Sequence, residues 1–359
     1  MKFKKLNIII LAAALIGVLA WVVHEDGLDN LLNMFAMLNP VWLVFAVLFM
    51  VFYWLLEGIV LHDIVKSFHH QQKLSHSLQT SMIGQLFNCL TPFSSGGQPV
   101  QAFHMKRTGV PLGIASGSLM IKFIVYQFCL TVYSIVVLLF FWQPLSQQVS
   151  GFGYLVFIGF AVNFGVMLGL LCICFFRGFT EKLVKGLVRI LAKIHIVKDK
   201  EKTLSYVDGE LEAFHKSFVD IKTHKWMVIR ASVLSFVQLT VYFMIPYFIC
   251  LAFGIRGISV LMVVSAQAFV VMISSFVPLP GAAGGAEFSF KTFFSPFFSP
   301  YHISVNPAML LWRFITFYLP IIVGTCFMAA SPKPTEENAH VEMVDNSAGK
   351  PQLEKDGER

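Results

Sequence analysis

Pro92-Phe93-Ser94-Ser95-Gly96-Gly97 returns in this chain as Pro280-Gly281-Ala282-Ala283-Gly284-Gly285. Each copy sets a Pro four residues before a Gly-Gly pair, inside an apolar stretch. Pro removes a helical hydrogen bond and Gly loosens the backbone, so neither stretch reads as one straight helix. A second echo lies downstream of each copy: Lys122-Phe123-Ile124-Val125-Tyr126 and Arg313-Phe314-Ile315-Thr316-Phe317. Both begin with a cation before Phe-Ile and end on an aromatic. Together the two echoes read as an internal duplication. Paired Pro/Gly-interrupted apolar segments in corresponding halves point to a binding site between transporter repeats.

Working outward, the surrounding sequence is that of a membrane protein. The 359 residues are 56% hydrophobic and 13% charged, with 37 Phe. A soluble domain could not bury so much apolar surface. Six runs reach the ~20 residues needed to cross a ~30 Å hydrocarbon core: residues 6–23, 41–61, 114–142, 152–176, 226–253 and 308–330. The first follows Lys2, Lys4 and Lys5, but Trp21-Val22-Val23-His24 offers no small-residue cleavage site, so it reads as an uncleaved span. The expected fold is therefore an all-α polytopic membrane protein of about six full spans. The net charge of +7 does not argue for nucleic acid, because the basic residues sit in loops between spans. Cys89, Cys129, Cys172, Cys174, Cys250 and Cys326 all lie in apolar segments and read as packing residues. The chain has no G-x-x-x-x-G-K-[ST] and no H-E-x-x-H, and His69-His70 is a weak metal signal. No cofactor and no metal are expected.

Charge sets the topology. The three N-terminal lysines hold the N-terminus in the cytoplasm, and residues 24–40, with Glu25, Asp26 and Asp29 but no Lys or Arg, face out. Residues 177–225 are rich in Lys and Arg and fall inside. They read as surface amphipathic helices, with a solvated connector preferred to an anionic-lipid contact. Residues 78–100 and 258–298 carry the two breaks. Broken backbone survives in lipid only when it is buried in protein or lines a wet cavity. Both stretches therefore read as re-entrant hairpins, with residues 92–99 and 278–285 at their tips and Pro92, Pro99, Pro278 and Pro280 as the breaks. Repeat one covers about 41–142, a link 152–225, and repeat two about 226–330. The first unit enters from outside and the second from inside, so the repeats are inverted and the C-terminus returns to the cytoplasm. Residues 331–359 read as a disordered cytoplasmic tail.

Charges inside apolar segments are costly and mark candidate sites. Glu57, Lys122, Glu287, Lys291 and Arg313 are the cases. Glu57 stands four residues before the end of its run and reads either as an interfacial carboxylate or as a proton-coupling group. Glu287 follows Gly284-Gly285 at the start of a half-helix. It has four open roles: capping that helix, pairing with Arg313, binding a cationic headgroup, or carrying a coupling proton. Lys291 reads as a surface cation. Gln98 takes the place beside the first glycine pair that Glu287 takes beside the second. Gly96, Gly97, Gln98, Lys122, Tyr126, Gly284, Gly285, Glu287 and Arg313 thus form the expected substrate site, with the glycine amides as phosphate donors.

The strings Thr91-Pro92-Phe93-Ser94-Ser95-Gly96-Gly97-Gln98-Pro99-Val100-Gln101, Lys106-Arg107-Thr108-Gly109-Val110, Pro278-Leu279-Pro280-Gly281-Ala282-Ala283-Gly284-Gly285-Ala286-Glu287 and Leu311-Trp312-Arg313-Phe314-Ile315-Thr316-Phe317-Tyr318-Leu319-Pro320 resemble the lysylphosphatidylglycerol synthase transmembrane family. This is the flippase-like region of the multiple peptide resistance factor. The resemblance runs in order over roughly residues 5–330. It implies a bacterial cytoplasmic membrane protein that moves an aminoacylated phospholipid or a glycolipid between leaflets by alternating access, with a link to antimicrobial peptide resistance. The family's synthase domain has no counterpart here, so the resemblance implies a transporter and not an enzyme. An enzyme acting on lipid headgroups, with Glu287 as base, and a scaffold for a separate lipid synthase are the alternatives. Membrane lipids are the expected partners. A separate synthase and a second copy of the chain remain open as further partners.

Overall fold

The computed structural model describes residue 20 and residues 22–148, 151–193, 200–219, 223–274 and 277–331. Among them the chain is built from helices and turns, with no strand. The predicted span over residues 6–23 lies almost wholly outside the described residues. Five helical segments are long and apolar enough to cross a membrane: Pro40–Phe68, Leu112–Gln143, Phe152–Phe175, Lys225–Ala252 and Asn306–Ala329. They match the other five predicted runs.

A short helix α1 (Leu28–Ala36) precedes the first of these spans, α2 (Pro40–Phe68). Asn39 starts α2 by accepting a hydrogen bond from the Val41 amide at 3.0 Å, and Pro40 fills the first helical position, where no N–H is needed. The helix has 29 residues, seven more than the apolar run suggested at its C-terminal side, so Glu57 stands in its interior and not at its end. α3 (Leu74–Leu90) and α4 (Gly97–Arg107) form the first hairpin across a 3₁₀ turn at Pro92–Ser94. Thr108 and Gly109 end α4, with Gly109 at φ 94° and Val110 N–H donating to Met105 O at 3.0 Å. This left-handed closure needs a residue without Cβ. It also drops Val110 into a small apolar cluster with Leu61, Val65, Met105 and Leu119.

α5 (Leu112–Gln148) and α6 (Phe152–Phe175) follow, then two helices of the polar link, α7 (Arg177–Lys193) and α8 (Lys200–Val219). The link is not the solvated connector that its charge suggested. Leu211, Phe214 and Phe218 of α8 are buried, the two Phe in one cluster with Val60, Ile64, Ile121 and Phe243. Glu210 of α8 also accepts a hydrogen bond from the Gly113 amide at the start of α5. A Cβ at Gly113 would lie 2.6 Å from that of Ala213, so the close approach of α8 requires glycine there. Apolar spacing on one face of α8 outweighed its polar composition.

α9 (Lys225–Phe243) and α10 (Ile245–Ala252) make one span bent at Pro246. The second hairpin is α11 (Val260–Ser274) and α12 (Gly285–Phe298), joined through a 3₁₀ turn at Pro280–Ala282. The last span is α13 (Asn306–Arg313), a π-helical turn at Phe314–Tyr318, and α14 (Leu319–Ala329). At ~1.5 Å per residue, hairpin arms of 11 to 17 residues reach only about 16 to 25 Å, short of a ~30 Å core. α2 packs against α3, α5, α9 and α10, and α14 packs along α3, so the two halves interlock. Stacked aromatics fill the second hairpin: Phe290 lies 4.2 Å from Phe294 and 4.8 Å from Trp312, centroid to centroid.

Candidate functional site

The two turns share a backbone conformation position by position. Thr91 (φ −119°, ψ 147°) matches Leu279 (φ −114°, ψ 151°), and Phe93 (φ 54°, ψ 18°) matches Gly281 (φ 61°, ψ 20°). Ser94 and Ala282 are left-handed as well, at φ 51° and 55°. The paths part at the next residues, where Gly96 has φ −79° and Gly284 has φ 83°. The two turns pack against each other, and the second also touches α3. Neither turn holds a buried residue, and Pro92, Phe93, Ser94 and Ser95 are exposed; irregular backbone at membrane depth is tolerated only against protein or beside a wet cavity.

Two buried ion pairs stand beside the turns, one for each repeated cation. Lys122 Nζ lies 2.7 Å from Glu57 Oε1, with side-chain exposures of 14% and 8%. The other Glu57 oxygen accepts a hydrogen bond from Gln85. Arg313 Nε lies 2.6 Å from Glu287 Oε1, with exposures of 7% and 6%. Glu287 Oε2 accepts the Gly284 amide at 2.7 Å, which closes a capping box at the head of α12. Glu287 therefore fills two of its four predicted roles, cap and partner of Arg313. The repeat supplies both cations but not both carboxylates. In the register that sets Pro92 on Pro280, the place of Glu287 falls to Pro99 and not to Gln98. Pro99 sits inside the first turn of α4 and does not break the chain. The first cation takes its carboxylate instead from α2.

The pairs are linked through one polar cluster. Tyr53 lies one helical turn before Glu57, and its ring is 4.9 Å from that of Tyr242. Tyr242 lies near Thr316 and Arg313. Tyr126 lies within reach of Glu57 and Tyr242, and Cys89 within reach of Arg313 and Glu57. The Arg313 guanidinium also sits over the Phe317 ring at 4.9 Å, and a Cβ at Gly281 would collide with that ring. The second turn, the π-helical turn and the Glu287–Arg313 pair thus form one contact circuit. Such π turns recur at functional positions.

Three of the four glycine amides are not open phosphate donors. Gly96 N–H donates to Thr91 Oγ1 at 2.8 Å, Gly97 N–H to Asn88 Oδ1 at 3.1 Å, and Gly284 N–H to Glu287. Gln98 is partly exposed at the head of α4, and Pro278 and Leu279 are exposed at the second turn. Lys291 is a paired cation, 2.7 Å from Glu25. Sequence reasoning passed over Gln85, Asn88, Thr91 and Tyr53. The available signal was their spacing: Gln85, Asn88 and Cys89 share one face of α3, and Tyr53 and Glu57 share one face of α2. Among the described residues no group of three or more His, Cys, Asp or Glu is placed to hold a metal ion.

A family model described as the lysylphosphatidylglycerol synthase TM region matches residues 7–324. The chain belongs to this family. The match takes in both hairpins, both ion pairs and the link between the halves. Within the curated proteins, the chain is similar to an Archaeoglobus fulgidus protein named UPF0104 membrane protein, 25% identical over 301 residues, covering 80% of this chain and 85% of that protein. No solved structure matches. The family is that of the membrane-embedded region, and no catalytic domain is shown for this member or for its archaeal relative.

Proposed function

We propose that this member of the lysylphosphatidylglycerol synthase transmembrane family translocates a lipid with a charged headgroup between leaflets. The observation that carries the reading is the meeting of two short helical hairpins, tip against tip, beside two buried ion pairs whose cations are repeated in the sequence. A headgroup that bears both an anion and a cation can exchange with such pairs. Its phosphate would take over Arg313 or Lys122, and its amine Glu287 or Glu57. Arg313 spends Nε on Glu287, so its terminal nitrogens supply further donors in the fork that suits a phosphate. The pairs keep the empty site neutral, so the cost of holding four charges in an apolar environment is partly offset before substrate arrives. The acyl chains stay in the bilayer while the headgroup moves. In this reading the hairpins are re-entrant, the repeats inverted, and alternating access is a rocking of one half against the other. Transport fits better than lipid-headgroup chemistry because both intramembrane carboxylates are held by cations, which leaves neither poised as a free general base.

The test is lipid scrambling by the purified chain in proteoliposomes. The lipids are headgroup-labelled phosphatidylglycerol, its lysyl form and a glycolipid, each with wild type, Glu287→Gln and Arg313→Ala. Headgroup-selective flipping that falls at least tenfold in both variants supports the site and the activity. Selective flipping unchanged in both would move the site away from the ion pairs. No flipping by folded wild-type protein, with or without a proton gradient, would reject translocation.

A further inference from the structure

The polar link between the halves holds a cleft separate from the ion pairs. α6 ends at Phe175, and α7 begins at Arg177, so the chain turns sharply at Phe176 (φ −100°, ψ 84°). The elbow is fastened by Thr180, a buried residue whose hydroxyl donates to Ile173 O at 2.6 Å and so satisfies a carbonyl freed at the end of α6. A cleft of about 620 Å³ opens there, lined by Cys172, Phe175, Phe176, Arg177, Phe179 and Lys182, with Gly178 between the last basic and aromatic residues of the turn. Three of its aromatics stand out from the protein: Phe175 is 63% exposed, Phe176 64% and Phe179 52%.

Phe175 ends a candidate span and Phe176 and Phe179 follow it; aromatics just past the end of a span suit the level where headgroups meet acyl chains. The helix that leaves the elbow, Arg-Gly-Phe-Thr-Glu-Lys-Leu-Val-Lys-Gly-Leu-Val-Arg-Ile-Leu-Ala-Lys, is amphipathic and carries Arg177, Lys182, Lys185, Arg189 and Lys193 against its own acid Glu181; Asp208 of α8 takes Lys185 at 2.9 Å, so Arg177 and Lys182 are the basic groups at the cleft. A basic amphipathic helix with aromatics at its apolar edge is the pattern of a segment lying in a membrane surface. We propose that the α6–α7 elbow is a binding site for an anionic phospholipid of the adjoining leaflet. Arg177 and Lys182 hold the phosphate, and Phe175, Phe176 and Phe179 line the first part of an acyl chain. Charge complementarity selects this occupant, because a zwitterionic lipid would offer the basic rim a cation as well as a phosphate. Arg177 already forms an exposed pair with Glu181 at 2.7 Å, which sets its guanidinium at the rim. The proposal is independent of the translocation reading and uses none of its residues.

The test uses the full chain in neutral detergent micelles. Binding of a fluorescent phosphatidylglycerol is compared with that of a phosphatidylcholine carrying the same fluorophore. The variants are Lys182→Glu, Arg177→Gln, Phe176→Ala and, as a control at an exposed basic residue outside both sites, Arg107→Gln. At roughly 1 kcal/mol per unit charge near an anionic surface, Arg177→Gln should lower the phosphatidylglycerol affinity about fivefold and Lys182→Glu, which changes the charge by two, about thirtyfold, with phosphatidylcholine unmoved. Phe176→Ala should weaken both lipids, and Arg107→Gln should keep the preference. Lys182 and Arg177 are exposed, so folding is checked simply by an unchanged thermal midpoint. Equal binding of both lipids by wild type would overturn the site. So would a phosphatidylglycerol preference that persists in Lys182→Glu and Arg177→Gln, or one lost equally in Arg107→Gln.

Discussion

At Arg313 and Glu287 the geometry assigns a structural duty and a proposed functional duty to the same atoms. Removing one partner of a buried pair leaves a charge without compensation, at about 3–5 kcal/mol. Arg313→Ala should therefore lower the thermal midpoint markedly. Arg313→Gln combined with Glu287→Gln should recover much of that loss, because neither charge is then left alone. Thermal unfolding of the two single variants and the double variant in detergent measures the coupling, and additive losses would show that the two side chains do not act as a pair. Lys122→Gln should behave in the same way toward Glu57. Charge in an apolar run made these four residues readable from sequence. Their partnering was readable only in part, because Glu57 and Lys122 are 65 residues apart and meet only through the packing of α2 on α5. The donor role expected of Gly96 and Gly97 failed for a local reason: Thr91 and Asn88 reach those amides first.

At the scale of the element, the two turns have one shape and two sequences. A left-handed backbone costs a residue with a Cβ roughly 1–2 kcal/mol, and Gly almost nothing. Phe93 bears that cost where Gly281 avoids it. Phe93→Gly should hold or raise the thermal midpoint, since the ring is 60% exposed and contributes little packing. Any loss of lipid movement in this variant would then come from the ring itself. The converse change, Gly281→Val, meets both the left-handed φ and the Phe317 ring, and should destabilise by 2 kcal/mol or about that much. The same thermal scan decides both, and a Gly281→Val protein as stable as wild type would mean that the turn does not hold this shape. The breaks were legible because Pro and Gly are direct statements about backbone. The docking of α8 was not, because its charged residues hide a buried face of Leu211, Phe214 and Phe218. Gly113→Leu should pry α8 from the start of α5 and raise protease cleavage within the link, while unchanged cleavage would reject the close packing.

For the whole molecule, apolar length marked six spans, five of which are among the described residues, whereas the way they gather around α2 needed the structure. Packing does not separate the halves: α2 lies against α9 and α10, and α14 against α3. The buried charges divide differently. Glu57 finds Lys122, and Glu287 finds Arg313, each without leaving its own half of the chain. A nascent chain enters the bilayer from its N-terminus onward, and a lone charge stranded in hydrocarbon is a strong reason for a segment to slip back out. Here each carboxylate meets its counter-ion within the same instalment of synthesis. The first half can thus settle into the membrane with its buried carboxylate already partnered, before the ribosome has made the helices that will finally enclose it.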